Sequence, residues 1–170
     1  IVIEPKLLML DEPLSNLDKQ LRVQLHEELK NLQRTLGLTT IFVTHDQEEA
    51  MTTADRMAVL DQGVLQQVGT AAGLYDAPQN RFVAGFVGTA NLLEGQVSAL
   101  DGDTLVFDAQ GLGRLTLPLP AEPPAPGAAT LAFRPHQIRI AAEGAPADAD
   151  RVWLQGRVEA AEFLGEFARY

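Results

Sequence analysis

The sequence predicts an α/β fold for residues 1–88 and a separate unit of short β-strands for residues 89–170. Three observations point there. Two apolar, strand-like runs, Lys6–Leu10 and Thr39–Thr44, flank a helical leucine stripe. Beyond Gly88, short β-prone segments alternate with turn residues at close intervals. Composition also changes at that point. Both parts are net −5, but the basic residues of 89–170 are all Arg, and 7 of the 10 prolines lie there. Two differently composed segments on one chain imply two structural units.

Each element has its own warrant. Lys6–Leu10 is apolar enough for a buried strand and ends in Asp11-Glu12, with Pro13 blocking continuation. Leu21, Leu25, Leu29, Leu32 and Leu36 recur at helical spacing, and Gly37 supplies a stop. Thr39–Thr44 is β-branched and apolar, a second buried strand. A short helix over Gln47–Ala54 follows, then strands at Arg56–Leu60 and Val64–Val68 joined by a turn at Asp61-Gln62-Gly63. Strand, helix, strand, helix, strand predicts a mostly parallel sheet. Residues 70–88 form short bridging helices. In the second part, strands are expected at Asn91–Ser98, Thr104–Asp108, Gly113–Leu117, Ala129–Arg134, Ile138–Ala141 and Trp153–Phe163, giving a small β-barrel or sandwich. Residues 120–128 are a Pro/Ala/Gly loop.

Composition narrows the function. Of 170 residues, 46% are apolar and 21% charged, ordinary for a chain that buries a core. The net charge of −10 argues against non-specific nucleic-acid binding, which needs Lys and Arg against phosphates. There is no cysteine, hence no disulfide or thiolate metal site, and no basic-then-apolar opening, a combination that predicts the cytoplasm. The chain opens at Ile1 without an initiator Met and ends at Tyr170 soon after Phe163-Leu164-Gly165; both ends read as truncations of a longer sequence.

The chemistry-bearing constellation is LLMLDEP, then SNLD, then TIFVTHD. Acids at the C-terminal end of a parallel strand face the crevice where α/β proteins bind nucleotides. Asp11 is a hard oxygen donor suited to Mg²⁺, and Glu12 is placed to orient or deprotonate a water attacking a γ-phosphate. His45, after the neighbouring strand, would point into the same crevice and hydrogen-bond a phosphate oxygen or hold that water. Alone, an Asp-Glu pair after a strand is a turn or a cap; the ordered co-occurrence of all four elements is what favours a nucleotide site. His26 and His136 read as structural, and Glu48-Glu49 as a solvated pair at a helix N-terminus.

These motifs resemble the C-terminal part of the ATPase subunit of an ABC importer. LLMLDE is similar to that family's Walker B strand with its catalytic glutamate, Ser15-Asn16-Leu17-Asp18 to the D-loop, and His45 to the switch histidine. HDQEEAM, ADRMAVLDQG, QVGT and LYDAPQNRFVAGFVG resemble the continuation in the subgroup serving polyamines, ferric iron, phosphonates, sulfate and maltose. NLLEGQV, LAFRPHQIRI and VEAAEFLGEFARY are similar to strands of its transport-associated OB-type (TOBE) domain; FLGEFARY and FRPH look closer to the phosphonate, polyamine and ferric-ion branches than to the maltose branch. The resemblance implies the C-terminal part of a P-loop ABC ATPase domain over 1–88 and a TOBE domain, an OB-like β-barrel, over 89–170. It implies ATP and Mg²⁺ as ligands, with Glu12 and His45 catalytic, Asp11 on Mg²⁺, and Asp18 in the nucleotide site at a subunit contact. Implied partners are a second ATPase subunit, two transmembrane permease subunits and, indirectly, a periplasmic or extracellular solute-binding protein, at the cytoplasmic face of the membrane.

There are departures. Asn16 stands where the family usually has Ala, Thr70-Ala71-Ala72-Gly73 lacks the usual Pro and Glu that start the next helix, and His136 stands where an acid is common. No G-x-x-x-x-G-K-[ST] phosphate loop, Q-loop or LSGGQ signature occurs in these 170 residues, so the chain alone is expected neither to bind ATP tightly nor to hydrolyse it. Three other readings compete. A non-enzymatic regulatory or dimerisation module draws on the OB-like second part. The ATPase head of a DNA-repair or chromosome-organising protein shares the acidic and His motifs but not the continuation. A single-strand-binding OB-fold needs a basic groove with stacking aromatics, which the net −5 of residues 89–170 does not offer.

Overall fold

The computed structural model describes residues 5–120, 122–141, 151–163, 165 and 168–169. The chain divides between Asn91 and Leu92 into two compact units. Residues 1–4, 121, 142–150, 164, 166, 167 and 170 lie outside the described residues, residue 121 falling within the loop expected at 120–128.

In the first unit, β1 (Leu7–Asp11) and β2 (Thr39–Val43) pair in parallel, with Asp11 opposite Val43 at their C-terminal ends. Between them runs α1 (Lys19–Leu36). Asp18 caps its start by accepting from the Leu21 N–H at 3.0 Å, and it ends at Gly37, whose φ of +60° turns the chain out of the helix. Both strands were expected to be buried. Instead only one face, Leu8, Leu10, Thr40 and Phe42, is half-buried, and Phe42 meets the His26 ring of α1 edge-on at 6.2 Å. The other face exposes Leu7, Met9, Ile41 and Val43. Strands that are apolar on both faces are the mark of a parallel sheet covered on both sides; among the described residues a layer covers one side only. For the same reason Leu21, Leu32 and Leu36 of the helical stripe are exposed.

After α2 (Gln47–Thr53), β3 (Met57–Asp61) and β4 (Val64–Gly69) form an antiparallel hairpin in its own two-stranded sheet. This corrects the expected mostly parallel sheet. Gln62 (φ +47°) and Gly63 (φ +80°) make a two-residue turn with positive φ at both positions, which folds β4 straight back on β3. Two short helices, α3 (Ala71–Asp76) and α4 (Arg81–Phe86), complete the unit. The missing family Pro and Glu do not prevent α3: Thr70 caps it, its hydroxyl accepting from the Gly73 N–H at 3.1 Å. Val59, Leu74, Val83 and Val87 form the buried core here. The buried Gln67 amide is satisfied, donating to the Ala77 carbonyl at 3.0 Å and accepting from the Gln79 N–H at 2.9 Å.

The second unit is a four-stranded sheet in the order β7 (Gly113–Pro118), β6 (Thr104–Ala109), β5 (Asn91–Asp101), β8 (Gly127–Phe133). Its core is Val97, Leu105, Phe107, Ala109 and Leu115. Among the described residues the sheet does not close into a barrel. Ile138–Ala141 is not a strand: it follows a short 3₁₀ turn (Pro135–Gln137), and Ile138 and Ile140 face solvent. Of Trp153–Phe163 only Glu162–Phe163 is a strand, β9, paired with β10 (Ala168–Arg169). Described residues bring no strand alongside the remainder, so its backbone has no ladder to join.

On this sheet the Arg114 Nε donates to Asp108 Oδ1 at 2.9 Å. That hydrogen bond, another from Ser98 and the guanidinium charge hold the Asp108 carboxyl below its ordinary range, against a smaller upward push from desolvation. A depressed carboxylate stabilises the fold above the unfolded Asp pKa of about 3.9, and that contribution is lost as pH falls through the folded value. The stability difference between wild type and Arg114→Ala, read by urea denaturation, is therefore expected to shrink as pH is lowered from neutral through 4 towards 2. A pH-independent difference would contradict the pairing.

Candidate nucleotide-hydrolysis site

The parallel register of β1 and β2 brings the two motif-bearing strand ends side by side. Beyond Asp11 the ladder continues for one bond, the Glu12 N–H donating to the Val43 carbonyl at 2.8 Å. Glu12 then takes φ +43°, a left-handed conformation uncommon for a residue with a Cβ. The next residues turn tightly: the Ser15 hydroxyl donates to the Glu12 carbonyl at 3.0 Å, and Leu14 is buried. On the neighbouring strand, His45 stands two residues past the end of β2. Its Nδ1 lies 3.1 Å from Glu12 Oε1. The pair is exposed, His45 by 71% and Glu12 by 46% of their side-chain area. An exposed contact of this kind contributes only about 0–1 kcal/mol to stability, so stability does not explain the strained backbone at Glu12.

Asp11 sits next to Glu12 at the end of β1; by strand alternation it shares the exposed face of Leu7 and Met9. Asp18 does not join the pair: its carboxylate caps α1. Of the strand-end residues expected to converge, Glu12 and His45 are in contact, whereas Asp11 is not among the residues lining the cleft around them, and the surroundings of the pair were not foreseen. A shallow cleft there is lined by Glu12, Ser15, Arg22, Thr44, His45, Asp46 and Glu49. Glu49, expected to be solvated, is buried. Its Oε2 accepts from the Thr44 hydroxyl at 2.8 Å, and its Oε1 lies 3.6 Å from Arg22 Nε. Asp46 caps α2, accepting from the Glu48 and Glu49 N–H groups at 2.9 and 3.2 Å, and its Oδ2 meets Arg22 Nη1 at 3.2 Å. The legible signal was the Asp46-x-x-Glu49 spacing, the pattern of an N-cap with an acid at the third helical position. His26 is half-buried and structural as expected, hydrogen-bonded to the Thr53 hydroxyl.

The donors at the strand ends are hard carboxylate oxygens, and the described residues hold no cluster of three or more His, Asp or Glu able to bind a metal alone. That set fits Mg²⁺, which binds through one or two carboxylates and fills its shell with water and substrate phosphates.

The chain is similar over its whole length to a spermidine/putrescine import ATP-binding protein of Pseudomonas aeruginosa, with 43% identity covering 100% of this chain and 47% of that protein. A spermidine/putrescine import ATP-binding protein of Rubrobacter xylanophilus is 44% identical over 100% of the chain and 44% of its own length. An sn-glycerol-3-phosphate import ATP-binding protein of Brucella abortus is 48% identical over 97% of the chain and 43% of its length. These relatives are named as import ATP-binding proteins. It spans somewhat under half the length of these curated relatives. The TOBE domain family matches residues 131–170. No helix among the described residues is long and apolar enough to cross a membrane.

Proposed function

We propose that the chain supplies the Walker B, D-loop and switch-histidine part (1–88) and the TOBE domain (89–170) of an ATP-hydrolysing importer subunit. The observation that carries this reading is the Glu12–His45 contact across two parallel strand ends, with Glu12 in a left-handed conformation. In the proposed reaction Glu12 accepts a proton from the attacking water as its oxygen bonds the γ-phosphorus and the bond to the β-phosphate oxygen breaks. His45 hydrogen-bonds the γ-phosphate, and its contact with Glu12 keeps both groups on one side of the nucleotide. Asp11 would hold Mg²⁺ through water; bound, the ion neutralises phosphate charge. Asp18 lies at the contact with a second ATPase subunit. Closure of that dimer on ATP and opening after hydrolysis drive two permease subunits at the cytoplasmic face of the membrane, which receive solute from a binding protein. The cargo is a small solute. Relatives of similar identity are named for a polyamine cation and for an anionic phosphate ester, so identity alone does not choose between them.

The TOBE match favours a second role, regulation or dimerisation, for residues 131–170. One experiment separates the two parts of the reading. Because the phosphate loop and signature are absent from these 170 residues, the chain alone is expected to show no ATP turnover above background, whereas a complete subunit carrying it hydrolyses ATP. Turnover by the 170-residue chain would contradict the proposed division of labour.

A further inference from the structure

Arg22 joins two segments that the proposed mechanism treats separately. On α1, one turn past the Asp18 cap, its guanidinium reaches in three directions. Nη2 donates to the Leu17 carbonyl at 3.1 Å, inside the Ser15–Asp18 turn. Nη1 donates to Asp46 Oδ2 at 3.2 Å, immediately after His45. Nε lies 3.6 Å from Oε1 of the buried Glu49. Glu49 in turn holds the Thr44 hydroxyl at 2.8 Å, and the Asp46 N–H donates to that hydroxyl at 3.0 Å. Both neighbours of His45 are therefore anchored to one network, and Arg22 carries that network to the Ser15–Asp18 turn. The planar guanidinium fork can make these contacts together, which a point-charge ammonium cannot. His45 itself touches only Glu12 among the contacts above.

We infer that Arg22 is a positioning residue that ties the Ser15–Asp18 turn to His45, so that displacement of that turn is transmitted to the imidazole. This rests on the reading of Glu12 and His45 as the hydrolytic pair, and its test separates the two. In a complete subunit with ¹³C-labelled histidines, wild type is compared with Arg22→Met, which keeps the stem and removes the fork, and with Arg22→Lys. The expected result is that Arg22→Met shifts or broadens the His45 ring resonance while those of His26, which also sits on α1, and His136 stay in place. Arg22→Lys is expected to restore the signal in part. For ATP hydrolysis, kcat is expected to fall on the order of 10- to 100-fold, the scale of a small misplacement of a reacting group, with KM for ATP changed less than about twofold. An unmoved His45 resonance in Arg22→Met overturns the inference. So does a His26 shift as large as that of His45, which would mean that α1 itself has moved. A shifted His45 with unchanged kcat upholds the positioning and overturns instead the catalytic reading of His45.

Discussion

Glu12→Gln in a complete subunit is expected to lower ATP turnover by at least about 10²- to 10⁴-fold, the range a positioned general base contributes, while ATP-dependent dimerisation is preserved. The substitution conserves size, and the Gln carbonyl can still accept from the His45 imidazole at the position Glu12 Oε1 now holds. What it removes is a basic oxygen. The fold should hardly notice: Glu12 is exposed, and its contact with His45 is worth about 1 kcal/mol or less. A variant that melts with wild type, dimerises on ATP and does not turn over is the expected outcome. Dimerisation is read by sizing with and without ATP, and turnover by phosphate release. Wild-type turnover would strip Glu12 of its role.

His45→Ala is expected to reduce kcat by about 10²- to 10³-fold, comparable to deleting one preorganised donor at a site of developing charge. His45 lies 71% exposed at the strand end, so truncation leaves no cavity in a core and its thermal stability should stay near wild type. Its loss is expected to differ from that of Glu12 in one respect. Without the imidazole the Glu12 carboxylate stays in place but loses the contact that orients it, so a small residual rate remains. Phosphate release measures this, and wild-type kcat in His45→Ala would contradict the assignment.

The central pair was legible because its signals are local: an apolar strand ending in Asp11-Glu12, another followed by His45, and a helical stripe between them that forces a parallel crossover. The hairpin turn at Gln62-Gly63 and the helix stop at Gly37 were legible for the same reason, whereas the cap at Asp18 was not read. Glu49 was misread because adjacent acids at a helix start usually face water; its partner Arg22 lies 27 positions earlier, and no local pattern announces it. Burial of β1 and β2 was overestimated because apolar composition on both faces states what a strand could bury, not what lies against it. The strands expected at Ile138–Ala141 and across Trp153–Phe163 failed on the same ground, since β-propensity does not supply a partner strand.

The most direct test is a structure of the complete subunit dimer trapped with ADP and a γ-phosphate mimic such as aluminium fluoride or vanadate. The Glu12 carboxylate and the His45 imidazole are both expected within hydrogen-bonding distance of the mimic or its attacking water, about 2.6–3.2 Å. A trapped nucleotide met by neither side chain, or by Glu12 with His45 turned away from it, would contradict that expectation.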